Sequence, residues 1–339
     1  MADFCTIGDL HLDALVKYWG NANALQLQCV DQVIDSVYRN GIKHILFLGD
    51  IAQGIRDTTG NKVRLSEDAQ VQLLRLIDKW DGKVTLDFIL GNHDLAEIGS
   101  HSLQLFMTMQ ELGMFKTTRF HEKPSNIVRS GVRISLMPFP HKTPSDASFA
   151  LGHYEVKGAL GDTGYKCGGE LHEYKIPVVQ GHLHTRQRVR NHYYPGTLYQ
   201  MSFGEKLPKG YGVVRATKET FAYRWVEKLP PFELRNVYIE KPKDFERLTP
   251  DATILQKLFV SDTVRLPSNL LSQYPNIVNA LVYGDEKELQ AIQDAELALE
   301  TESSELNHEE FLPAVLSSIG ASVPQINRAV KLMHSLRGN

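Results

Sequence analysis

The 339-residue sequence is poor in cysteine, with Cys5, Cys29 and Cys167 at wide spacing and no CxxC pair. That excludes a disulfide framework and a thiolate zinc site, and it predicts reduced core thiols in a cytosolic protein. Long hydrophobic runs are also missing. HILFLGD (44–50) and VTLDFILGN (84–92) are strand-length, far short of the roughly 20 residues a membrane helix needs. The start, MADFCTIGD, has neither a basic stretch nor an apolar leader, so no secretory signal and a cytoplasmic location are expected. No one sign of charge dominates: Lys and Arg number 37, Asp and Glu 40, for a net of −3. This balance by itself argues neither for nor against nucleic acid. No repeat of 20–50 residues is visible. What remains, 42% hydrophobic and 23% charged residues, is the usage of a soluble globular protein, with length for more than one ordinary domain.

The first part of the chain alternates strand and helix. FCTIGD (4–9), HILFLGD (44–50) and VTLDFILGNHD (84–94) are apolar runs that each end in polar residues. Helical spacing is predicted over 24–39 and over 66–80, with Ser66 as N-cap, and over 101–113, stopped by Gly113. Such βα units predict an α/β fold with its site at the carboxyl ends of the strands. From about residue 118 short strands follow: 127–139, 148–153, 176–184, 189–194, 197–205 and 210–216. They predict a second, more antiparallel sheet packed on the first. The Pro-rich stretch 228–243 suggests a boundary. Beyond it a small α+β module is expected, with strands at 233–240, 262–267 and 276–284 and a helix at 252–259. Residues 285–339 hold ten acidic and four basic side chains, a net of −6, against +3 for the rest of the chain. The stretch 285–308 reads as a solvated helix or linker. Residues 309–339 read as two amphipathic helices, which either dock on their own domain or bind a partner.

Five segments place metal-ligand residue types at strand ends: Asp9-Leu10-His11, Gly49-Asp50, Gly91-Asn92-His93-Asp94, Gly152-His153 and Gly181-His182-Leu183-His184. DxH or GD alone is common noise; all five in this order, each after an apolar run, is specific. In an extended segment, residues two apart share a side, so Asp9 and His11 can face one cation, as can His182 and His184. Imidazole, carboxylate and one amide oxygen together suit Mn²⁺, Fe²⁺ or Zn²⁺. Seven ligands are too many for one tetrahedral ion and about right for two octahedral ones, with Asp50 the best bridging candidate. Two metals about 3.5–4 Å apart can clamp the oxygens of an in-line phosphoryl displacement. His93 then points at substrate, where it can protonate a leaving alkoxide, and Asp94 can orient that imidazole.

In this order the motifs D-x-H, GD, GNH[DE], GH and GHxH resemble the calcineurin-like metallophosphoesterases. Within that superfamily the chain is most similar to the SbcD-type nuclease subunit of the double-strand-break processing complex, in the versions carried by large tailed phages. GHLHTRQRV (181–189) with YYPGTLYQMSFGE (193–205), and PPFELRNVYIE (230–240), carry that likeness. The resemblance implies a two-sheet metallophosphoesterase sandwich flanked by helices, over 1–228. It also implies a capping domain at 229–284, an acidic linker at 285–308 and a helical partner-binding tail at 309–339. One metal would take Asp9, His11, Asp50 and His184, and the other Asp50, Asn92, His153 and His182, with His93 catalytic. The metals would be Mn²⁺, and the activity exonuclease and endonuclease cleavage of DNA in recombination and repair. The partners would be DNA, an SbcC-like SMC-type ATPase and a second copy of the chain, with no membrane. In an infected bacterium the setting would be the host cytoplasm. The chain departs from the pattern at Gln53, where many members have a histidine three residues after the bridging aspartate; Gln can donate a hydrogen bond but cannot hold charge.

Other features divide between plain and functional readings. Arg186, Arg188 and Arg190 alternate after the GHLH motif, as a solvated strand face or as phosphate contacts. Arg56, Lys62 and Arg64 lie in a loop that is a candidate for substrate contact. The other histidines, at 44, 101, 121, 141, 172, 192, 308 and 334, have no ligand-like context. Two further readings of the whole stay open: a phosphomonoesterase or cyclic-nucleotide phosphodiesterase on the same fold, and a scaffold whose metals are structural.

Overall fold

The computed structural model describes residues 1–302 except 54, 57–61, 96–101, 163, 169–171 and 206–207; at 55–56, 62–63 and 295–302 it describes the backbone alone. The chain forms two compact units, Met1–Met201 with Glu205–Pro231, and Ser202–Gly204 with the chain from Phe232 on.

In chain order the first unit contains β1 (Ala2–Ile7), α1 (Ala22–Arg39), β2 (His44–Phe47), β3 (Ile55–Arg56), β4 (Lys62–Arg64), α2 (Glu67–Trp80) and β5 (Thr85–Ile89). There follow α3 (Gln104–Glu111), β6 (Thr118–His121), β7 (Ser125–Arg129), β8 (Val132–Met137), β9 (Phe149–His153) and β10 (Val178–Gly181). The unit ends with β11 (Gln187–Val189), β12 (His192–Tyr194), β13 (Gly210–Ala216) and β14 (Phe221–Glu227). The helices follow local chemistry. Ser66 caps α2 by accepting the Ala69 N–H at 3.1 Å, satisfying one of the donors a helix start leaves open. Gly113 follows α3 with φ +71, the left-handed conformation glycine adopts without steric penalty.

Two six-stranded mixed sheets result, ordered β14-β13-β1-β2-β5-β6 and β11-β12-β10-β9-β8-β7. Their facing sides share one core, in which Phe4, Leu46, Leu48 and Ile89 of the first sheet meet Ile134, Leu136, Phe149 and Val179 of the second. Phe4 meets Phe149 edge-on at 5.5 Å between centroids. On the first sheet, Phe47, Phe88 and Phe120 stack in a ladder at 4.1 and 4.6 Å, and Phe106 of α3 leans on its end at 5.5 Å. Aromatic neighbours at such spacing add to the area term of burial.

The second sheet is less antiparallel than the sequence suggests: β8, β9, β10 and β12 run parallel, and only its edge strands β7 and β11 pair antiparallel. The segments 138–148 and 154–177 supply the long crossovers that parallel neighbours need. Residues 210–216, expected in this sheet, instead pair antiparallel with β1 of the first. Residues 197–205, expected as a strand, form none. Positions 194–200 are buried without alternation, and the chain there is held by side-chain bonds such as Thr197 Oγ1 to the Tyr199 carbonyl at 2.7 Å.

The second unit has β15 (Glu233–Ile239), a 3₁₀ turn at Pro242–Arg247, β16 (Ile254–Ser261), α4 (Leu270–Gln273), β17 (Ile277–Tyr283) and α5 (Glu286–Glu302). The predicted helix over 252–259 is wrong. Residues 254–259 instead belong to the central strand β16, parallel to β15 and β17, and 252–253 form a turn. Buried from Leu255 to Val260, with Gln256 and Lys257 inside the run, β16 shows no two-residue alternation, and periodicity cannot tell such a strand from a buried helix. The predicted strand at 262–267 is turn and coil. The helix α5 occupies the start of the acidic stretch; the expected partner-binding tail at 309–339 lies outside the described residues. Among the described residues, no helix is long and apolar enough to cross a membrane.

Candidate metal centre

Both sheets of the first unit deliver carboxyl ends of parallel strands to one place. Asp9 follows β1, Asp50 follows β2, and Asn92 and His93 follow β5; His153 ends β9, and His182 and His184 follow β10. The loops are tied together by backbone. Leu10 and His11 both donate N–H to the Asp50 carbonyl at 2.9 Å. The Leu10 carbonyl accepts from Gln26 Nε2 at 3.0 Å and from the Tyr199 hydroxyl at 2.8 Å. Asp94 is fully buried, and its two oxygens accept the Ala52 and Gly91 N–H groups, both at 2.8 Å. Those bonds staple the loops bearing Asp50 and Asn92.

Six of the seven predicted ligand side chains converge around Asp50 and Asn92, and His184 reaches them through His11. Asp50 Oδ2 lies 3.2 Å from His153 Nε2 and 3.6 Å from His11 Nε2, and Asp50 Oδ1 accepts the His93 N–H at 2.8 Å. Asn92 Oδ1 meets His153 Nε2 at 2.9 Å and His182 Nδ1 at 3.0 Å. Asp9 accepts the His182 N–H at 3.1 and 3.0 Å and lies 3.4 Å from His153 Nδ1. His11 Nε2 faces His184 Nε2 at 3.1 Å. The His93 ring stands edge-on to His11 at 4.8 Å.

Three imidazoles share an orientation. His11 donates from Nδ1 to Gln53 Oε1 at 2.8 Å, His153 from Nδ1 to the Leu48 carbonyl at 2.7 Å, and His184 from Nδ1 to Glu205 Oε1 at 2.8 Å. Each turns one nitrogen to an oxygen acceptor and leaves Nε2 for the centre, the tautomer a metal ligand requires. Burial holds His11 well below the ordinary histidine range; burial and the nearby His153 take His182 down to about 4. Burial also lowers His153, but Asp50 and Asp9 beside it reverse this and push it up to about 9. Burial and the Asp50 charge raise Asp94 to about 7; burial raises Asp9 to about 6, with Asp50 adding to it against His153. Burial would raise Asp50 too, but the imidazoles of His153, His93 and His11 hold it well below the usual carboxylate range. The lowered imidazoles of His11 and His182 offer lone pairs, and the crowded buried carboxylates call for positive charge, a combination that fits divalent cations.

The backbone is shaped for this convergence. His11, Asp50 and His182 all have positive φ, at 44, 47 and 79°, a strained region for such residues that collects at functional sites. A Cβ on Gly91 would collide with Asp50 Oδ1, and one on Gly181 with the Leu48 carbonyl and Asp9 Oδ1.

Three groups of described residues have the geometry to hold an ion: His11 with Asp50 and His93, Asp50 with His153 and His182, and Asp162 with His184 and Glu205. Sequence reasoning missed Gln53 as the partner of His11, and it missed Asp162, Glu205 and Lys209 altogether. Glu205 closes the SFGE stretch, but no spacing rule links it to a histidine 21 residues earlier. Of the predicted DNA contacts, only Arg188 lies within strand β11; Arg186 and Arg190 flank it. Arg186 stacks on Trp225 at 4.3 Å and Arg188 on Tyr193 at 4.8 Å, while Arg190 pairs with Glu173. Arg64 is exposed; the side chains of Arg56 and Lys62 lie outside the described residues.

Two mixed sheets with His and Asp clusters at their strand ends are consistent with a metallophosphoesterase. No family model matches the chain. The chain is a homologue of the exonuclease subunit 1 of Enterobacteria phage T4, with 24% identity over 331 residues that cover 91% of each protein.

Proposed function

We propose that the chain is the nuclease subunit of an SbcD-type complex and hydrolyses DNA phosphodiesters with two divalent cations, Mn²⁺ by the family resemblance. The observation that carries the reading is the set of three Nδ1-anchored imidazoles converging with Asp9, Asp50, Asn92 and His182 at the carboxyl ends of two sheets. Asp9, His11, Asp50 and His184 would hold one ion, and Asp50, Asn92, His153 and His182 the other. Bound there, the ions supply Lewis-acid stabilisation of phosphoryl charge and a nucleophile at neutral pH. The chain's own residues do the rest. Asp50 would serve both ions, and its position is set by the His93 N–H and the Leu10 and His11 N–H groups. His93, beside His11, hydrogen-bonds a phosphate oxygen and gives a proton to the leaving alkoxide. Arg186 and Arg188, each held over an aromatic ring, offer guanidinium donors to the phosphate backbone.

The relative's name, a numbered subunit, supports an assembly of more than one chain. By the resemblance, the partner is an SMC-type ATPase held by residues 309–339, the second unit caps DNA, and the core pairs with a second copy.

The test is cleavage of linear and hairpin DNA in Mn²⁺, compared with p-nitrophenyl phosphate esters. DNA cleavage abolished by chelator supports the reading. Turnover of the small esters with no cleavage of DNA would retire it in favour of a phosphomonoesterase or cyclic-nucleotide phosphodiesterase.

A further inference from the structure

Behind His184 lies a buried polar group that the nuclease reading does not use. His184 Nδ1 meets Glu205 Oε1 at 2.8 Å and Asp162 Oδ2 at 3.0 Å, and the His184 N–H donates to Asp162 Oδ1 at 2.8 Å. The other Glu205 oxygen pairs with Lys209 Nζ. Glu205 and Lys209 are buried, at 5% and 2% exposure. Lys209 Nζ also donates to Thr197 Oγ1 at 3.0 Å and to the His184 carbonyl at 3.2 Å. Lysine and glutamate stay buried when each meets a partner, and here both do.

The cluster Asp162, His184 and Glu205 has the spacing of an ion site, but Lys209 argues against one. Its ammonium already neutralises Glu205, and a cation at Nδ1 would stand beside that charge. A cation there would also take the nitrogen that anchors the ring. The arrangement is an orienting clamp.

We propose that Glu205 is a positioning residue for His184: it fixes the ring as the Nδ1–H tautomer with Nε2 turned to the metal centre, and Lys209 decides which way the clamp is polarised. This rests on the two-metal reading above. The physical logic gives a sharp variant. Glu205→Gln has the same size but only one acceptor oxygen. Lys209 has only hydrogens to donate, so the new amide turns its oxygen to Lys209 and its NH₂ to His184 Nδ1. That sets an N–H donor against Nδ1 and shifts the balance toward the opposite tautomer, with a hydrogen on Nε2 aimed at His11 where a lone pair is needed; Asp162 Oδ2, 3.0 Å from Nδ1, is then the remaining acceptor for the original form. Removing the ammonium in Glu205→Gln/Lys209→Met lets the amide turn back.

The experiment uses the full chain. Mn²⁺ uptake is measured by calorimetry, the His184 tautomer in the metal-free protein by ¹⁵N NMR, and folding by circular dichroism. The wild type is expected to take up two ions and to carry its proton on Nδ1. E205Q is expected to stay folded, to move the proton to Nε2 and to bind one of the two ions roughly 10–100-fold more weakly. The double variant should recover most of the loss. Should E205Q not fold, D162N and the wild-type tautomer carry the test. D162N keeps Glu205 and so keeps the Nδ1–H form, and its Mn²⁺ affinity should stay within about threefold of wild type, less than the loss ascribed to Glu205. Wild-type uptake unchanged in E205Q, or a bare Nδ1 in the wild type, overturns the role of Glu205 alone. A third ion lost with Glu205 overturns it in favour of an ion site. A wild type that takes up no Mn²⁺ overturns the metal-centre reading and the clamp with it.

Discussion

His11 and His184 are 173 positions apart in sequence, and their Nε2 atoms face each other at 3.1 Å. One ring is anchored from behind by the neutral amide of Gln53, the other by the carboxylates of Glu205 and Asp162. Two inward nitrogens with outward anchors of different charge make a pair suited to one cation between fixed ligands.

His93 separates chemistry from metal binding. Replacing it with alanine is expected to lower DNA cleavage about 10²–10⁴-fold, the usual range for a general acid, with Mn²⁺ uptake retained. Steady-state cleavage and calorimetry on the same preparation check this; full activity in H93A would refute its assigned role.

Metal removal should show in stability. Ions that bind only the folded state add about 2.7 kcal/mol at 100 times their Kd, so saturating Mn²⁺ should raise the melting temperature over that in chelator by roughly 5–10 °C. Differential scanning calorimetry reads this directly. Identical transitions with and without Mn²⁺ would count against the centre.

Gly91 has no room for a side chain. In Gly91→Ala the new methyl would run into Asp50 Oδ1 and the Asp50 backbone, so the aspartate must move. Mn²⁺ affinity should fall on the order of tenfold or more, while far-ultraviolet circular dichroism stays that of the wild type. Unaltered affinity would mean that Asp50 is not held where the ions sit.

Away from the centre, Asp87 tests buried charge. It is fully buried and accepts from Arg129 Nη2 at 2.6 Å, Arg129 Nε at 2.9 Å and His121 Nε2 at 2.9 Å. Burial would raise its carboxyl, but His121 and Arg129 pull it below 3.8. A depressed acid contributes stability that is present above its unfolded pKa and lost as pH falls through the folded one. Wild-type stability tied to Asp87 is therefore lost only below about pH 4. Arg129→Ala should cost about 3 kcal/mol. With the guanidinium gone, burial pushes the carboxyl up, so the acid loss should begin at higher pH. Urea unfolding between pH 3 and 7 checks both the size and the shift.

Much of the centre is legible in the chain because each ligand directly follows an apolar strand. Gly-Asp, Gly-Asn-His-Asp and Gly-His-Leu-His mark where β2, β5 and β10 stop. Helices with one apolar face are legible for the same local reason; α2 with its Ser66 cap is the clearest. The strand β16 is misread as a helix because burial on both faces erases the two-residue period. Residues 197–205 defeat the reading because their backbone is satisfied by buried side chains such as Thr197 and Gln200, which leave no periodic trace.

The sequence by itself determined the donor types, their order and the strand ends that present them, because those depend on neighbours a few residues away. Only the tertiary structure decided which imidazole nitrogen looks inward, that Gln53, Glu205 and Lys209 stand behind the ligands, and that Asp94 holds backbone. Most of those facts are set by contacts between residues far apart in the chain, such as His11 with Gln53, 42 positions away, and His184 with Glu205, 21 positions away. Such bonds exist only once distant segments have been brought together, within one sheet for His11 and Gln53, and no local pattern encodes them.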